Sequence, residues 1–174
     1  PAILIDMHQI EVFRGPQSSI FGANAMAGLI SMHTNDPINQ FEAMVQAGVA
    51  TDNGKNLGAV INTPIVKNLS TRFTLYSGQE NGFRENVYKN ILDSNGKSEM
   101  MVRNKTQWTP NTKLQIKLTS LFADQDNKYD VWAPDNNEML QTYSDNEGKD
   151  SQENYSFSVR SSLRTIGNMD LISI

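Results

Sequence analysis

Residues 10–37, IEVFRGPQSSIFGANAMAGLISMHTNDP, form the stretch whose residue types most suggest chemistry. Arg14, Gly15 and Pro16 stand between two short apolar segments and are followed by paired serines and further glycines, as in a phosphate-binding loop or a nucleophile elbow. A phosphate-binding loop also needs Gly-Lys-Ser/Thr, and an elbow needs Gly-x-Ser-x-Gly. Neither motif is present in the segment, which therefore predicts a tight structural turn.

Other candidates for catalysis or metal binding are few. The chain has two histidines and no cysteine, which excludes a thiolate metal site and disulfides. Asp124, Asp126 and Asp130 resemble part of a calcium loop, but the glycine and glutamate that complete such a loop are absent. A solvated loop and a calcium site both remain open for this run. We expect no catalytic residue, no resident metal, no cofactor and no enzymatic activity.

Composition limits the function classes. The net charge of −4 gives no support to nucleic-acid binding. No apolar run approaches the roughly 20 residues of a membrane helix. The mean hydropathy of −0.48 is typical of soluble proteins. Membrane β-barrels are an exception to that inference, because their strands alternate lipid-facing and lumen-facing residues.

After Pro37 the apolar residues recur with period two, which is typical of β-strands. In TKLQIKLTSLF, for example, Leu114, Ile116 and Leu118 alternate with Lys113, Gln115 and Lys117. We predict seven strands, within the segments QFEAMVQAGVA, LGAVINTPI, NLSTRFTLYSG, MMVRNKTQW, TKLQIKLTSLF, NYSFSVRSSLR and MDLISI. Most are near the roughly 9 to 11 residues that a tilted strand needs to cross a bilayer.

The predicted connections differ between the two ends of the strands. Three tight turns lie at one end, whereas the other end has one short turn and two long loops, 79–98 and 124–152. Outer-membrane barrels have this asymmetry, with short periplasmic turns and longer extracellular loops. A soluble sandwich also has alternating strands, but its loops need not lengthen at one end only.

The turn in residues 10–37 has residues suited to a sharp reversal. Gly15 permits a backbone conformation closed to other residues, and Pro16 suits the first position of a helical turn. Gly22 is expected to cap that turn in a left-handed conformation, and Gly28 leads into the next strand.

This segment closely resembles the end of the plug domain in TonB-dependent outer-membrane receptors. The positions that carry the resemblance are Glu11, Val12, Arg14, Gly15, Pro16, Ser18, Ser19, Phe21, Gly22, Ala25, Gly28 and Ile30. The resemblance implies a mainly β chain, with the C-terminal part of an α/β plug at 1–38 followed by about seven antiparallel strands of a transmembrane β-barrel at 39–174. It also implies that the rest of a 22-stranded barrel and most of the plug lie outside these residues.

The function implied by the resemblance is active transport across the outer membrane of a Gram-negative bacterium. The expected partners are TonB, membrane lipid and a scarce nutrient such as a ferric siderophore, cobalamin or a glycan. A passive or adhesive outer-membrane barrel and a soluble carbohydrate-binding sandwich are the alternatives.

Cargo contacts are expected in the long loops, because loops on a rigid scaffold often hold binding residues. The candidates are Phe83, Arg84, Tyr88, Tyr129 and Trp132. The predicted lumen-facing positions are basic, among them Lys113, Lys117, Arg160 and Arg164. They predict either an anionic cargo or the ordinary charge of a wall that faces water.

Overall fold

The computed structural model describes residues 3–129, 138–164 and 170–174. In these ranges the chain is mainly β-structure with one short helix. The elements are β1 (Met7–Arg14), α1 (Ser18–Phe21), β2 (Gly28–Thr34), β3 (Glu42–Val49), β4 (Lys55–Val66), β5 (Leu69–Glu80), β6 (Arg84–Asn86), β7 (Ile91–Ser94), β8 (Lys97–Trp108), β9 (Leu114–Tyr129), β10 (Gln141–Thr142), β11 (Gly148–Arg164) and β12 (Asp170–Ser173). Within the described ranges no helix is long and apolar enough to span a membrane.

The chain divides into two compact units, Pro1–Asp36 and Pro37–Ile174. The first unit is an antiparallel hairpin of β1 and β2, in which Arg14 pairs with Gly28. At its open end, the backbone N–H of Asn35 donates to the carbonyl of Asp6 at 3.0 Å, and the Asn35 side chain donates to the Asp6 carboxylate at 2.8 Å. Both ends of the hairpin are therefore held by hydrogen bonds.

The connection from β1 to β2 is the turn predicted from the sequence, with two corrections. Pro16 precedes the N-cap residue Gln17, so it does not occupy the first helical position as expected. Gly22 has φ 90° and ψ 176°, so its φ is positive as glycine permits, but its ψ is extended and not left-handed helical. The extended ψ leads the chain away from α1, and the turn then closes through a hydrogen bond from Gln17 N–H to the carbonyl of Ala25 at 2.8 Å.

Gly28 is the one residue of the turn where a side chain is excluded by both space and conformation. Its φ is 155°, and a Cβ there would lie 2.8 Å from the carbonyl oxygen of Phe13. The close approach lets β2 begin directly opposite the end of β1. Glycine at this position is thus a requirement of the hairpin itself.

The second unit is built on a seven-stranded antiparallel sheet in the order β12-β11-β9-β8-β5-β4-β3. Strands that are neighbours in this sheet follow one another along the chain, apart from the small strands in the connections, so the sheet is an up-and-down meander. All seven strands that the period-two pattern predicts are present.

The second of the two predicted long loops is shorter than expected. Strand β9 continues to Tyr129 and β11 begins at Gly148, so both ends of the predicted loop 124–152 are strand. In these added strand ends, polar residues pair with polar residues across the two strands; for example, Asp126 of β9 lies opposite Ser151 of β11. The alternation of apolar residues therefore stops while the backbone ladder continues, because ladder hydrogen bonds need no apolar side chain.

The register divides the side chains into two faces. The apolar face carries Val45, Leu57, Ile61, Phe73, Leu75, Val102, Trp108, Leu114, Ile116, Leu118, Phe122, Tyr155, Phe157, Val159 and Leu163. The polar face carries Gln46, Asn62, Arg72, Thr74, Arg103, Lys105, Gln107, Gln115, Lys117, Thr119 and Arg160. Residues directly opposite on antiparallel strands share a face, so the predicted alternation is preserved across the sheet.

Burial on the two faces is the reverse of that in a soluble protein. Asn62, Thr74 and Arg103 on the polar face are 0%, 1% and 7% exposed. Val45 and Phe157 on the apolar face are 74% and 72% exposed. A large exposed apolar surface marks an interaction site or a membrane-facing one. The apolar face therefore needs to be covered by lipid or by other protein.

Candidate functional site

The connections at the long-loop end of the sheet form a small sheet of their own. We name β6, β7 and β10 the rim sheet; it has the order β10-β6-β7. Strands β6 and β7 are antiparallel and belong to the connection between β5 and β8, whereas β10 lies in the connection between β9 and β11 and pairs with β6 in parallel. The rim sheet therefore joins two loops that are far apart in sequence.

Asn86 is the centre of the joint between the loops. Its side chain is fully buried, its Nδ2 donates to the carbonyl of Ser144 at 2.9 Å, and its Oδ1 accepts the N–H of Lys89 at 3.0 Å. One amide group thus closes the turn after β6 and also binds the other loop. A buried amide whose donor and acceptor atoms are both hydrogen-bonded fixes the geometry of the groups around it.

Further hydrogen bonds complete the joint. The N–H groups of Glu85 and Val87 donate to the carbonyls of Leu140 and Thr142 at 3.2 and 3.0 Å. The Gln141 side chain donates to the Glu85 carboxylate at 3.0 Å. The two loops are consequently held by backbone and side-chain hydrogen bonds together.

We expect Asn86→Ala to loosen this joint. The change leaves the Ser144 carbonyl and the Lys89 N–H without their partner, which costs on the order of 1–3 kcal/mol. Hydrogen exchange of the Glu85 and Val87 amides in the full-length protein should accelerate roughly fivefold or more. Asn81→Ala, a change at an exposed residue of the same loop, is the control, and equal exchange in the two variants would contradict the assignment.

Three of the five cargo candidates lie in the first loop. Phe83 and Tyr88 are exposed, and the Arg84 guanidinium lies over the Phe83 ring at 5.5 Å from its centroid. The Nε of Arg84 is buried and has no hydrogen-bond partner among the described residues. A cation stacked on an aromatic ring beside a second exposed aromatic is suited to bind a ligand that has both charge and flat apolar surface.

The other two cargo candidates are Tyr129, which lies in a strand, and Trp132. Tyr129 was predicted in a loop, but it is the last residue of β9 and pairs with Gly148, where a Cβ would overlap the Tyr129 carbonyl oxygen. Tyr129 is exposed. Trp132 lies outside the described residues.

The acidic run proposed as a calcium site is strand in its described part. Asp124 and Asp126 lie in β9, and Asp126 forms an ion pair with Lys149 of β11 at 3.2 Å. Asp130 lies outside the described residues. Over the described part of the chain, His, Asp and Glu do not form a group of three that could hold a metal ion.

Sequence reasoning did not identify the rim sheet, Asn86 or Thr142. The pairing of β6 with β10 involves two residues from each strand, separated by more than 50 positions. A run of two residues is too short to show a periodic pattern, so the sequence does not predict which strand it pairs with. The positions of Asn86 and Thr142, both fully buried, therefore became evident only from the structure.

No protein-family model matches the sequence. Solved structures do match it. The ferric yersiniabactin uptake receptor FyuA from Yersinia pestis superposes with a TM-score of 0.80 and 18% identity, over 92% of this chain and 26% of the receptor. The siderophore receptor PiuA from Acinetobacter baumannii gives a TM-score of 0.79 and 15% identity, over 97% of this chain and 25% of the receptor.

A third match adds the cellular location of such proteins. The ferripyoverdine receptor of the outer membrane of Pseudomonas aeruginosa gives a TM-score of 0.71 and 12% identity, over 95% of this chain and 23% of the receptor. This chain has the fold of a TonB-dependent siderophore receptor. The receptor fold predicted from residues 10–37 and from the alternating strands is thereby confirmed. The chain spans about a quarter of the length of these receptors.

Proposed function

We propose that this chain is part of an outer-membrane receptor that binds a ferric siderophore and imports it with energy supplied through TonB. Residues 1–38 would be the end of the plug domain, and 39–174 the first strands of the transmembrane barrel. The observation that carries the proposal is the exposed apolar face of a seven-stranded meander that superposes on siderophore receptors.

The apolar face favours a membrane barrel over a soluble sandwich. In a sandwich the residues around Leu118 would be covered by a second sheet, and side chains from both inner faces would interdigitate. Over the part of the chain that the structure describes, this face is instead exposed, with Tyr155 at 75% and Val159 at 42%. Lipid is the medium that such a face fits.

The hairpin of the first unit favours a receptor with a plug over a passive or adhesive barrel. A barrel without a plug has no need for the Arg14-Gly15-Pro16 turn or for the close approach at Gly28. Under the proposal, Arg14, Gly15, Pro16, Gly22 and Gly28 are structural residues of the plug and none is catalytic. Transport of this kind needs no covalent chemistry, so the protein is proposed not to be an enzyme.

Cargo binding is assigned to the long-loop end. Arg84 supplies a positive charge beside the exposed rings of Phe83 and Tyr88. Charged oxygen ligands around iron would pair with the guanidinium, and flat parts of the siderophore would stack on the rings. Tyr129 and Trp132 are further proposed contacts.

Iron uptake tests this proposal. The full-length protein would be produced in a Gram-negative host that lacks its own siderophore receptors, and uptake of radioactive iron from siderophores of the source organism would be followed. We expect uptake that disappears when the host lacks TonB. Equal uptake with and without TonB would point to a passive barrel, and no uptake of any ferric siderophore would refute the cargo class.

A further inference from the structure

Three polar side chains lie on the apolar face of the large sheet. Thr71 of β5 lies directly opposite Thr106 of β8, and Asn104 of β8 lies opposite Phe73. Alternate residues of a strand share a face, so Thr71 is on the same face as Phe73, and Asn104 and Thr106 are on the same face as Val102. We name Thr71, Asn104 and Thr106 the polar triad. Under the proposed function the polar triad faces lipid, where the side chains of a barrel are mostly apolar.

Hydrogen bonds within the sheet satisfy the polar triad. The Asn104 Nδ2 donates to Thr71 Oγ1 at 2.9 Å, and the Thr106 hydroxyl donates to Asn104 Oδ1 at 3.1 Å. The Thr71 hydroxyl donates to the carbonyl of Lys105 at 3.2 Å, and the two threonine oxygens are 3.1 Å apart. All three side chains are half-buried. The polar triad therefore needs neither water nor a second membrane protein as a hydrogen-bonding partner.

These hydrogen bonds join two strands whose connection does not set their register. Strands β4 and β5 are joined by Lys67 and Asn68, and β8 and β9 are joined by residues 109–113. Such short turns fix the register of the strands that they join. Strands β5 and β8 are instead joined by residues 81–96, which include β6 and β7. A connection of that length permits several registers.

The other side-chain pairs of β5 and β8 do not select one register either. A shift by one residue would exchange the two faces, whereas a shift by two residues keeps every side chain on its own face. On the polar face, Arg72 lies opposite Lys105, and a pair of like charges disfavours the register in which it forms. Glu80 lies opposite Lys97, but at the loop end, where an ion pair is weak. These pairs therefore do not exclude a shift by two residues.

A shift by two residues disrupts the polar triad in either direction. In one direction Asn104 lies opposite Leu75, which leaves its amide without the Thr71 hydroxyl. In the other direction Thr106 lies opposite Leu69, and the contact between the two threonine hydroxyls is lost. In lipid no water replaces a lost partner, and an unsatisfied polar group is costly. The observed register keeps all the hydrogen bonds of the triad.

We propose that the polar triad determines the register in which β5 pairs with β8 during assembly in the membrane. The inference rests on the proposed function, because lipid around the triad is what makes a lost hydrogen bond costly. A single buried asparagine determines the register of a coiled coil in the same way. Asn104 is the central residue of the triad, since its side chain bonds to both threonines.

Disulfide cross-linking in the full-length protein tests the proposal. Residues 1–174 contain no cysteine, and any cysteine elsewhere would be replaced by serine. Val102→Cys would be combined with Leu75→Cys, which lies opposite it in the observed register. It would also be combined with Phe73→Cys or Ser77→Cys, which come opposite it after a shift by two residues. The cysteines would be kept reduced during assembly and oxidised in isolated outer membranes, and we expect the parent protein to cross-link mainly between positions 75 and 102.

Asn104→Leu should raise the ratio of shifted to native cross-links roughly fivefold or more, because it removes two hydrogen bonds of the triad. Ser120→Leu is the matched control and should leave the ratio unchanged. Ser120 of β9 lies opposite Asn104 on the same face, and its hydroxyl forms no hydrogen bond among the described residues. If Asn104→Leu fails to reach its folded, heat-modifiable form, Thr106→Val replaces it and should raise the ratio roughly twofold or more.

Three results would overturn the inference. They are an unchanged ratio in Asn104→Leu (or in Thr106→Val where that variant replaces it), an equal rise in Ser120→Leu, and a parent protein whose shifted pairs cross-link as readily as the native pair. Iron uptake by cells that carry the parent protein separates this failure from failure of the proposed function. Normal TonB-dependent uptake with any of these three results would refute the role of the polar triad alone.

Discussion

Leu118→Arg is expected to prevent most of the full-length protein from reaching its folded form in the outer membrane. Leu118 lies on the apolar face, where its register partners are Thr106 and Val159. It stands near the middle of the roughly ten residues that would cross the bilayer from Leu114 onward. An arginine facing lipid at the midplane costs about 2–4 kcal/mol. The measurement is the fraction of heat-modifiable protein in outer membranes.

Neighbouring positions provide the controls for Leu118→Arg. Lys117→Glu changes the charge of the adjacent residue on the polar face and should leave assembly near normal. Ile116→Arg lies on the apolar face nearer the short-turn end, so its cost should be smaller, because the penalty falls toward the interface. Equal tolerance of all three substitutions, or a protein that folds in water without membrane, would contradict the barrel assignment.

The faces of the large sheet were predictable because side-chain alternation is a local property. In β9, Leu114, Ile116 and Leu118 alternate with charged or polar neighbours, and the observed register keeps them on one face. The alternation within each strand shows which of its side chains lie on the apolar face and which on the polar face. Consecutive strands then pair with one another in a meander. The resemblance of residues 10–37 then identified the fold.

The ends of the strands and the rim sheet were not predictable for a related reason. From Asp124 to Lys128 the residues of β9 are polar on both faces, so nothing in the pattern distinguishes a strand in water from a loop. The pairing of Glu85 with Gln141 joins segments far apart in sequence through a two-residue ladder. Asn86, which binds the first loop to the second, was accordingly not found, although the cargo candidates Phe83, Arg84 and Tyr88 lie in the same loop.

Asn62 is expected to be the most sensitive polar residue of the sheet. It is fully buried on the polar face. Its Oδ1 accepts the N–H of Ile38 at 3.1 Å, and its Nδ2 donates to the carbonyls of Ile38 and Gln40. These three bonds attach the segment before β3 to the middle of β4.

The surroundings of Asn62 offer no replacement for its side chain. Its register neighbours, Glu42 on β3 and Arg72 on β5, form an ion pair with each other at 3.0 Å between Oε2 and Nη1. Asn62→Leu keeps the approximate volume but leaves three backbone groups without a partner. The expected cost is about 2–3 kcal/mol, within the range for unsatisfied groups.

The loss should open the segment from Ile38 to Gln40 locally, before the sheet unfolds. A cost of that size raises the open population roughly 30- to 160-fold, so chymotrypsin cleavage after Phe41 in the full-length protein should accelerate by that factor. Asn56→Leu is the matched control, since Asn56 lies on the same strand and face and its side chain forms no hydrogen bond among the described residues. If both variants are cleaved at the wild-type rate, the three bonds of Asn62 do not hold the segment, and its attachment must reside in the β3–β4 ladder alone.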